Sequence, residues 1–342
     1  MKRDFNQNDW DQTHENDLKR LMEIAISEDF GELGDLTSQA LIPRGMKGRA
    51  SFHVRKEGVI AGLVAVPTCI SLIDPELRWF SCCQEGEFVE KGAKIGEFVG
   101  PVLSMMTAER LLLNLLGHLC GIATLTRRFV KQVEGTGAKI YDTRKTTLGW
   151  RRLEKYAVRC GGGRNHRTGL YDAVLIKDNH LAFGSLPGYV LDSNHSENVH
   201  SPEKCGSCIE HRSDLFSPGE AVRRAKAYLQ QLISEKTASG NPPVFPNNQI
   251  PLVEIEIDTL DQFEDVLAAK PDIVLLDNMC PATMQKAVQI RNHLKSSTEL
   301  EASGGITFDI VRQVAETGVE RISVGSLTHS HSSLDIGMDW EG

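Results

Sequence analysis

The stretch DTRKTTLGW at residues 142–150 places Arg144 and Lys145 side by side among threonines, directly after the apolar run KIY. A second motif, RNHR, adds Arg164, His166 and Arg167. Arginine binds planar carboxylates through two parallel hydrogen bonds, whereas lysine acts as a point charge toward phosphates. These cations together indicate a ligand that carries both groups. A surface cluster paired with acidic side chains is the competing interpretation.

This part of the chain is basic, although the chain as a whole is acidic. The formal net charge is -8, yet residues 144–177 contain nine basic and two acidic side chains. A local excess of this kind focuses electrostatic potential on anionic ligands. Nucleic-acid binding usually needs a basic face on a basic domain. We therefore expect small anionic ligands and no nucleic-acid partner.

Charged side chains also follow other apolar runs. Lys177 comes directly after AVLI, so its side chain must either reach solvent or face a site. In VEIEID, Glu254 and Glu256 alternate with apolar residues, which puts both on one strand face, and Asp277 closes VLLDN. Carboxylates near cations can hold ribose hydroxyls, or hydrated magnesium on a phosphate. Internal salt bridges to arginine or lysine are the alternative.

The elements that must position these groups are short, repeated strands. Six apolar runs end in polar or glycine-rich groups: KIYDTRK, AVLIKDN, LVEIEID, IVLLDN, LEASGG and RISVGS. The segments between them contain helix-start patterns, with Ser217 three residues before Glu220 and Thr259 three residues before Gln262. Repeated strand and helix units predict a parallel sheet, most often closed as a barrel. The chemistry of such barrels lies at the C-terminal ends of the strands, where these groups fall.

Two glycine-containing groups end the last two runs, Ser303 with Gly304 in ASGG and Gly325 in SVGS. Glycine lets backbone N–H groups approach a phosphate closely. The loops after the final two strands are the usual phosphate site of such barrels. We therefore expect a phosphate to bind here.

The rest of the chain has a different pattern. The first 120 or so residues predict antiparallel strands with glycine turns, followed by a long apolar helix from Thr107. Residues 187–218 are polar and lack periodicity, which predicts a surface insertion. Within it, Cys205 and Cys208 lie near His195, His200 and His211 and have the ligand types of a zinc site. A lid-like or disordered loop is the other interpretation.

The location of the protein is predicted from what the sequence lacks. The first 20 residues contain no apolar core of a signal peptide, and no run approaches the roughly 18 apolar residues of a membrane span. The eight cysteines are thinly spread, which favours reduced thiols. We expect a cytoplasmic protein without a membrane partner.

The motifs together resemble one enzyme family. TAERLLLNLLGHLCGIAT, DTRKTT, GGGRNHRTGLYDAVLIKDNH, VEIEID, VLLDN, EASGGI and SVGSLTHS follow one another, from about Gly34 to Asp339, as in quinolinate phosphoribosyltransferase, also called nicotinate-nucleotide pyrophosphorylase (carboxylating). The resemblance implies a pentosyltransferase of de novo NAD biosynthesis. It would convert quinolinate and phosphoribosyl pyrophosphate, with Mg²⁺, into nicotinate mononucleotide, pyrophosphate and carbon dioxide.

The resemblance also implies an architecture. An N-terminal open-faced α/β sandwich at residues 1–125, joined by the C-terminal tail 329–342, would pack on an incomplete α/β barrel of the type II phosphoribosyltransferases at residues 126–328. The insertion near 187–218 would belong to the barrel. The protein would be a homodimer, with or without further association of dimers.

Residue roles follow from the same resemblance. Arg110 matches the arginine that one subunit lends to the quinolinate site of its neighbour, and Arg144, His166 and Arg167 match the quinolinate-binding set within the subunit. The catalytic set would be Lys145, Lys177, Glu256 and Asp277, with both lysines near the charged groups of the ligands and both carboxylates near the ribose and, through water, Mg²⁺. The phosphate-binding set would be Ser303, Gly304 and Gly325.

Two departures from the family pattern and three rival functions remain, and the larger departure is the insertion after His180 and Phe183. Leu148 stands where the family usually has a proline before the glycine of the TRKTT loop, which loosens that loop without removing a charge. A related phosphoribosyltransferase of the molybdenum-transport-associated type would act on another acceptor. A phosphate-metabolite sensor would need no catalytic carboxylates, and a zinc-dependent interaction protein would leave the cation cluster without a purpose.

Overall fold

The computed structural model describes residues 3–184, 217–238, 245 and 250–341. Spatial contacts divide the chain into a larger unit, residues 4–170 and 303–341, and a smaller unit, Arg3 with the described part of 171–302. Cys205 and Cys208 lie outside the described residues, so the zinc site stays a prediction. The domain boundary at residue 125 also stays a prediction.

The helices in the described ranges are, in chain order, α1 (Gln12–Phe30), α2 (Leu36–Leu41), α3 (Val66–Ile73), α4 (Val102–Gln132), α5 (Arg151–Cys160), α6 (Asp178–Gly184), α7 (Pro218–Ala238), α8 (Phe263–Ala268), α9 (Pro281–His293), α10 (Val311–Ala315) and α11 (Ser326–His329). None of them is both long and apolar enough to cross a bilayer.

The strands in the same ranges are β1 (Lys47–Val54), β2 (Gly58–Val59), β3 (Arg78–Ser81), β4 (Phe88–Val89), β5 (Lys94–Pro101), β6 (Lys139–Tyr141), β7 (Ala173–Ile176), β8 (Leu252–Ile257), β9 (Ile273–Asp277), β10 (Glu299–Ser303), β11 (Arg321–Ser323) and β12 (Ile336–Glu341).

An antiparallel sheet in the larger unit has the strand order β12–β1–β5–β3. Alternate residues of β1 face inward, and the fully buried Phe52 meets the fully buried Phe98 of β5 edge to face, with ring centroids 6.1 Å apart. The chain between β11 and β12 crosses α4, where Leu334 N donates a hydrogen bond to the Gly117 carbonyl at 2.9 Å. The predicted antiparallel strands are confirmed, and β12 extends their sheet.

All six apolar runs of the sequence form strands, β6 to β11. In the larger unit β6 and β11 pair in parallel. In the smaller unit the order is β7–β8–β9–β10, with β7 and β9 parallel to β8. Each of these strands ends where the sequence places its polar or glycine-rich group.

Helix starts agree in part with the sequence patterns. Ser217 Oγ accepts a hydrogen bond from Glu220 N at 3.1 Å, so the predicted cap of α7 is confirmed. The pattern at Thr259 was wrong by three residues, because Phe263 N bonds to the Leu260 carbonyl in a tighter turn and the N-cap of α8 is Gln262. Helix α4 starts at Val102, five residues before the predicted Thr107.

Candidate active site

The loop after β6 carries Arg144 and Lys145 and is fixed by hydrogen bonds to its own threonines and backbone. Arg151 Nε donates to Thr146 Oγ1 at 3.0 Å, and Thr328 Oγ1 donates to the Lys145 carbonyl at 2.7 Å. Arg144 Nε is buried and has no hydrogen-bond partner among the described residues. A buried donor left unpaired costs about 1–3 kcal/mol, which a ligand acceptor would recover. The loop therefore leaves one donor of Arg144 without an acceptor among the described residues, and its role in binding stays a prediction.

A buried ion pair lies beneath this loop. Asp142 and Lys155 both have zero exposure, and Lys155 Nζ donates a hydrogen bond to Asp142 Oδ1. Asn165 Nδ2 donates to Asp142 Oδ2 at 2.6 Å. The pair also fixes His166, whose N–H donates to Asp142 Oδ1 and whose carbonyl accepts from Lys155 Nζ, both at 2.9 Å. Burial raises the pKa of the Asp142 carboxyl, while Lys155, Asn165 and the His166 amide act in the opposite direction.

The sequence analysis missed this support. Asp142 directly follows β6, as Lys177 follows β7, and that shared placement is the signal that could have found it. Lys155 was counted only within the basic segment. The sequence RRLEKYAVRC gives no signal that Lys155 is buried. Two adjacent charged residues, Glu154 and Lys155, are both buried here, and such residues usually lie at the surface.

His166 and Arg167 are both buried at the end of the RNHR motif. Arg167 N donates to His166 Nδ1 at 2.8 Å, so the neutral imidazole carries its proton on Nε2. A ring in this tautomer can donate to a carboxylate. Arg164, the first residue of the motif, instead forms an ion pair with Asp4 at 2.6 Å. The motif thus contains both binding candidates and a structural arginine.

Arg110 lies on α4 and is exposed. Its side chain borders a cavity with Trp150 and with apolar residues of α1 and α4, among them Leu18, Met22 and Leu115. The Arg110 side chain is therefore exposed at the edge of this cavity. Its reach into the site of a partner subunit stays a prediction.

The predicted phosphate-binding residues lie where strands β10 and β11 end. Gly304 follows β10 with φ +82°, a left-handed conformation that glycine adopts without strain. Gly325 approaches Lys145 closely, since an added Cβ would lie 3.1 Å from Lys145 Cδ. The larger unit therefore brings Gly325 beside Lys145, and a phosphate site at these residues stays a prediction. Ser303 ends β10 and is half-buried.

In the smaller unit, Lys177 Nζ donates a hydrogen bond to Glu256 Oε2. Glu256 borders a cavity together with three other carboxylates, those of Asp178, Asp258 and Asp277. Magnesium prefers oxygen ligands and keeps several of its waters, so this set fits the ion. Sequence reasoning missed Asp178 and Asp258, although Asp258 directly follows β8.

Two protein-family models match this chain. The model of the C-terminal domain of quinolinate phosphoribosyl transferase matches residues 122–214 and 204–339, and that of the N-terminal domain matches residues 35–120. The chain belongs to the quinolinate phosphoribosyltransferase family. The predicted family and its α/β fold class are thereby confirmed.

Individual relatives agree along the length of the chain. A probable nicotinate-nucleotide pyrophosphorylase (carboxylating) of Bacillus subtilis is 35% identical over 322 residues, covering 94% of this chain and 93% of that protein. A mitochondrial quinolinate phosphoribosyltransferase (decarboxylating) of Nicotiana tabacum is 34% identical over 335 residues, covering 94% and 82%. The structure of the nicotinate-nucleotide pyrophosphorylase of Francisella tularensis superposes with a TM-score of 0.76 at 30% identity, covering 99% and 100%.

Membership of the family confirms the predicted enzyme class, a nicotinate-nucleotide diphosphorylase (carboxylating). Roles of individual residues in the family site stay predictions. The predicted site residues fall into two sets, each described within its own unit. The larger unit holds Arg110, Arg144, Lys145, His166, Arg167, Ser303, Gly304 and Gly325, and the smaller unit holds Lys177, Glu256 and Asp277.

Proposed function

We propose that the chain catalyses the reaction of its family through the residues described above. The phosphoribosyl group of phosphoribosyl pyrophosphate is transferred to the ring nitrogen of quinolinate, and the products are nicotinate mononucleotide, pyrophosphate and carbon dioxide. The observation that supports these residue roles best is the buried, unpartnered Arg144 Nε on a loop fixed through Thr146 and Lys145. A planar carboxylate is the natural partner of such a donor.

Quinolinate is a dianion, and several cations offset the cost of removing it from water. Arg144 and Arg167 bind its carboxylates, and His166 donates through Nε2. Arg110 of a second subunit adds a further positive charge to the site. Because each site then needs two subunits, we propose that the protein is a homodimer. When quinolinate is held in this way, its ring nitrogen points toward C1 of the ribose. The two reacting atoms then need no further loss of translational and rotational entropy to meet.

The phosphates of the second substrate are assigned to Lys145, Ser303, Gly304 and Gly325. Glu256 and Asp277 would hold the ribose hydroxyls and Mg²⁺. When bound, the ion supplies positive charge to the departing pyrophosphate. Lys177 holds the Glu256 carboxylate in place through their hydrogen bond.

The electron flow needs no further cofactor. As the C1–O bond to pyrophosphate breaks, C1 becomes cation-like, and the carboxylates of Glu256 and Asp277 stabilise that charge. The ring nitrogen then donates its electron pair to C1 and becomes positive. When the adjacent carboxylate leaves as carbon dioxide, the electron pair of the broken bond stays on the ring carbon beside this cation and takes up a proton.

A direct assay tests the proposal. Purified protein with Mg²⁺ and phosphoribosyl pyrophosphate receives quinolinate or nicotinate, and nicotinate mononucleotide is quantified. We expect product from quinolinate only, because the second carboxylate engages the cation set. Product from nicotinate, or no product from a folded protein, would refute the proposal in favour of the related transferase or the sensor.

A matched pair of variants tests the role of Arg144. Arg144→Met should lower kcat/KM for quinolinate at least tenfold, since a charged partner of a desolvated carboxylate contributes on the order of 2–5 kcal/mol. Arg49→Met is the control, because Arg49 is exposed on β1 and pairs with Glu97 on the antiparallel sheet. Equal activity of the two variants would contradict the assignment. Size measurement of the same samples tests the dimer, and fractionation of expressing cells tests the proposed cytoplasmic location.

A further inference from the structure

Residues 4–8, which we name the N-terminal strap, run along the loop that carries His166. The strap precedes the part of the chain that the family models match, which begins at residue 35. Gln7 Oε1 accepts from Asn165 N at 2.9 Å, and Gln7 Nε2 donates to the Asn165 carbonyl at 3.2 Å. Both backbone groups of the residue before His166 are therefore bound by one side chain of the strap.

The strap also contacts the imidazole itself. Phe5 stacks on His166 with ring centroids 4.2 Å apart and planes inclined by 28°. Phe5 is only 5% exposed, and the Arg321 guanidinium lies over its ring at 5.4 Å. One face of the imidazole is thus covered by a side chain that is itself held. The plane of the His166 ring is fixed by this stack.

Asp4 anchors the strap. Its carboxylate accepts hydrogen bonds from Arg164 at 2.6 Å and from Arg321 at 2.8 Å, and the Tyr141 hydroxyl donates to it at 3.1 Å. Charge-assisted bonds of this kind are the stronger ones in proteins. Asp4 therefore holds the backbone at Phe5 in place on the His166 loop.

We propose that the N-terminal strap positions His166 for quinolinate, with Phe5 as the positioning residue. Arg167 N donates to Nδ1, and in the proposed function Nε2 donates to quinolinate in a direction that the ring plane sets. Loss of the stack would let the ring tilt and misdirect that hydrogen bond. The proposed function assigns no His166 contact to phosphoribosyl pyrophosphate, so the binding of that substrate should be unaffected. This inference rests on the proposed role of His166 in quinolinate binding.

Steady-state kinetics of Phe5→Ala test the strap. We expect KM for quinolinate to rise about tenfold and KM for phosphoribosyl pyrophosphate to stay within about twofold, since only the orientation of one donor changes. Phe129→Ala is the matched control, because Phe129 is equally buried on α4 and contacts Phe308. The control should lose stability without changing the ratio of the two KM values. Equal ratios in both variants would overturn the proposal.

Two further measurements distinguish failure of the strap proposal from failure of the proposed function. If Phe5→Ala does not fold, Gln7→Ala takes its place, because it removes the Gln7 bonds to the Asn165 backbone and to the Phe5 carbonyl without removing the Phe5 ring. A smaller rise in KM for quinolinate, again without change for the other substrate, is expected. Calorimetric titration of quinolinate into the same proteins needs no turnover. An inactive wild-type protein would refute the proposed function, whereas unchanged quinolinate affinity in the strap variants would refute the strap.

Discussion

Replacing Lys155 by methionine should destabilise the protein strongly and in a pH-dependent way. The change leaves the Asp142 carboxylate without its counter-charge at a position of zero exposure. Removing one partner of a buried ion pair costs about 3–5 kcal/mol, whereas replacing both partners is often nearly neutral. At about 1.4 kcal/mol for each factor of ten, the folding equilibrium should shift by about two to three and a half orders of magnitude.

The pH dependence follows from the carboxyl that remains. Burial raises the pKa of Asp142 above its ordinary value of 3.8, and without Lys155 the opposing effect of its charge is lost. The folded variant then holds a proton at pH values where the unfolded chain has released it. Its free energy of unfolding must therefore fall as the pH rises above about 4, until the folded carboxyl is ionised as well.

Urea unfolding followed by tryptophan fluorescence and circular dichroism measures the effect. The deficit of Lys155→Met relative to wild type should be larger at about pH 8 than at about pH 5.5. The double variant Asp142→Asn with Lys155→Met removes both charges, and at the higher pH it should be more stable than the single variant. A single variant as stable as wild type at about pH 8, or a double variant that recovers nothing, would refute the reasoning.

Three further predictions concern single side chains. Arg110→Ala should lower kcat/KM for quinolinate at least tenfold, with the fold preserved by circular dichroism, and near-normal turnover would contradict the shared site. Glu256→Gln should lower kcat by on the order of tenfold or more, with little effect on quinolinate affinity, because the carboxylate stabilises positive charge that develops at C1. A variant in which only KM for quinolinate changes would argue against this role. Burial raises the pKa of Asp4, but the charges and hydrogen bonds of Arg321 and Arg164 outweigh burial and hold this pKa below 3.8. The Asp4 carboxylate therefore stabilises the fold above about pH 4, and this stabilisation is lost as the pH falls through the pKa of the folded state. Asp4→Asn should therefore be less stable than wild type near neutral pH, with a difference that shrinks below about pH 4 in unfolding experiments.

The positions of the strands and of most candidate residues could be predicted from the sequence. Each of the six apolar runs forms a strand, because a run of four or so apolar residues closed by a polar group is what a buried parallel strand requires. Lys177 and Glu256 were predicted from the same logic and meet in a hydrogen bond. The local pattern was sufficient wherever a residue is placed by its own strand.

Residues that depend on distant contacts could not be predicted. Asp142 and the His166 carbonyl compensate the charge of the buried Lys155, and those partners are 13 and 11 residues away. Phe5 is more than 150 residues from the histidine it covers. Neither the periodicity nor the composition of the sequence reveals such pairs, because the tertiary fold brings the two residues together and local secondary-structure propensity does not.

The pairing of β12 with β1 has a consequence for the order of folding during synthesis. The strands are adjacent in the sheet, with Phe52 opposite Met338, although most of the chain separates them. Until the ribosome has made β12, one edge of β1 has unpaired N–H and C=O groups, and such an edge readily pairs with another chain. The antiparallel sheet therefore begins to form early on the ribosome but gains its last strand only after the strands β6 to β11 have been synthesised. A nascent chain stalled before residue 336 should associate with other chains more readily than the finished protein.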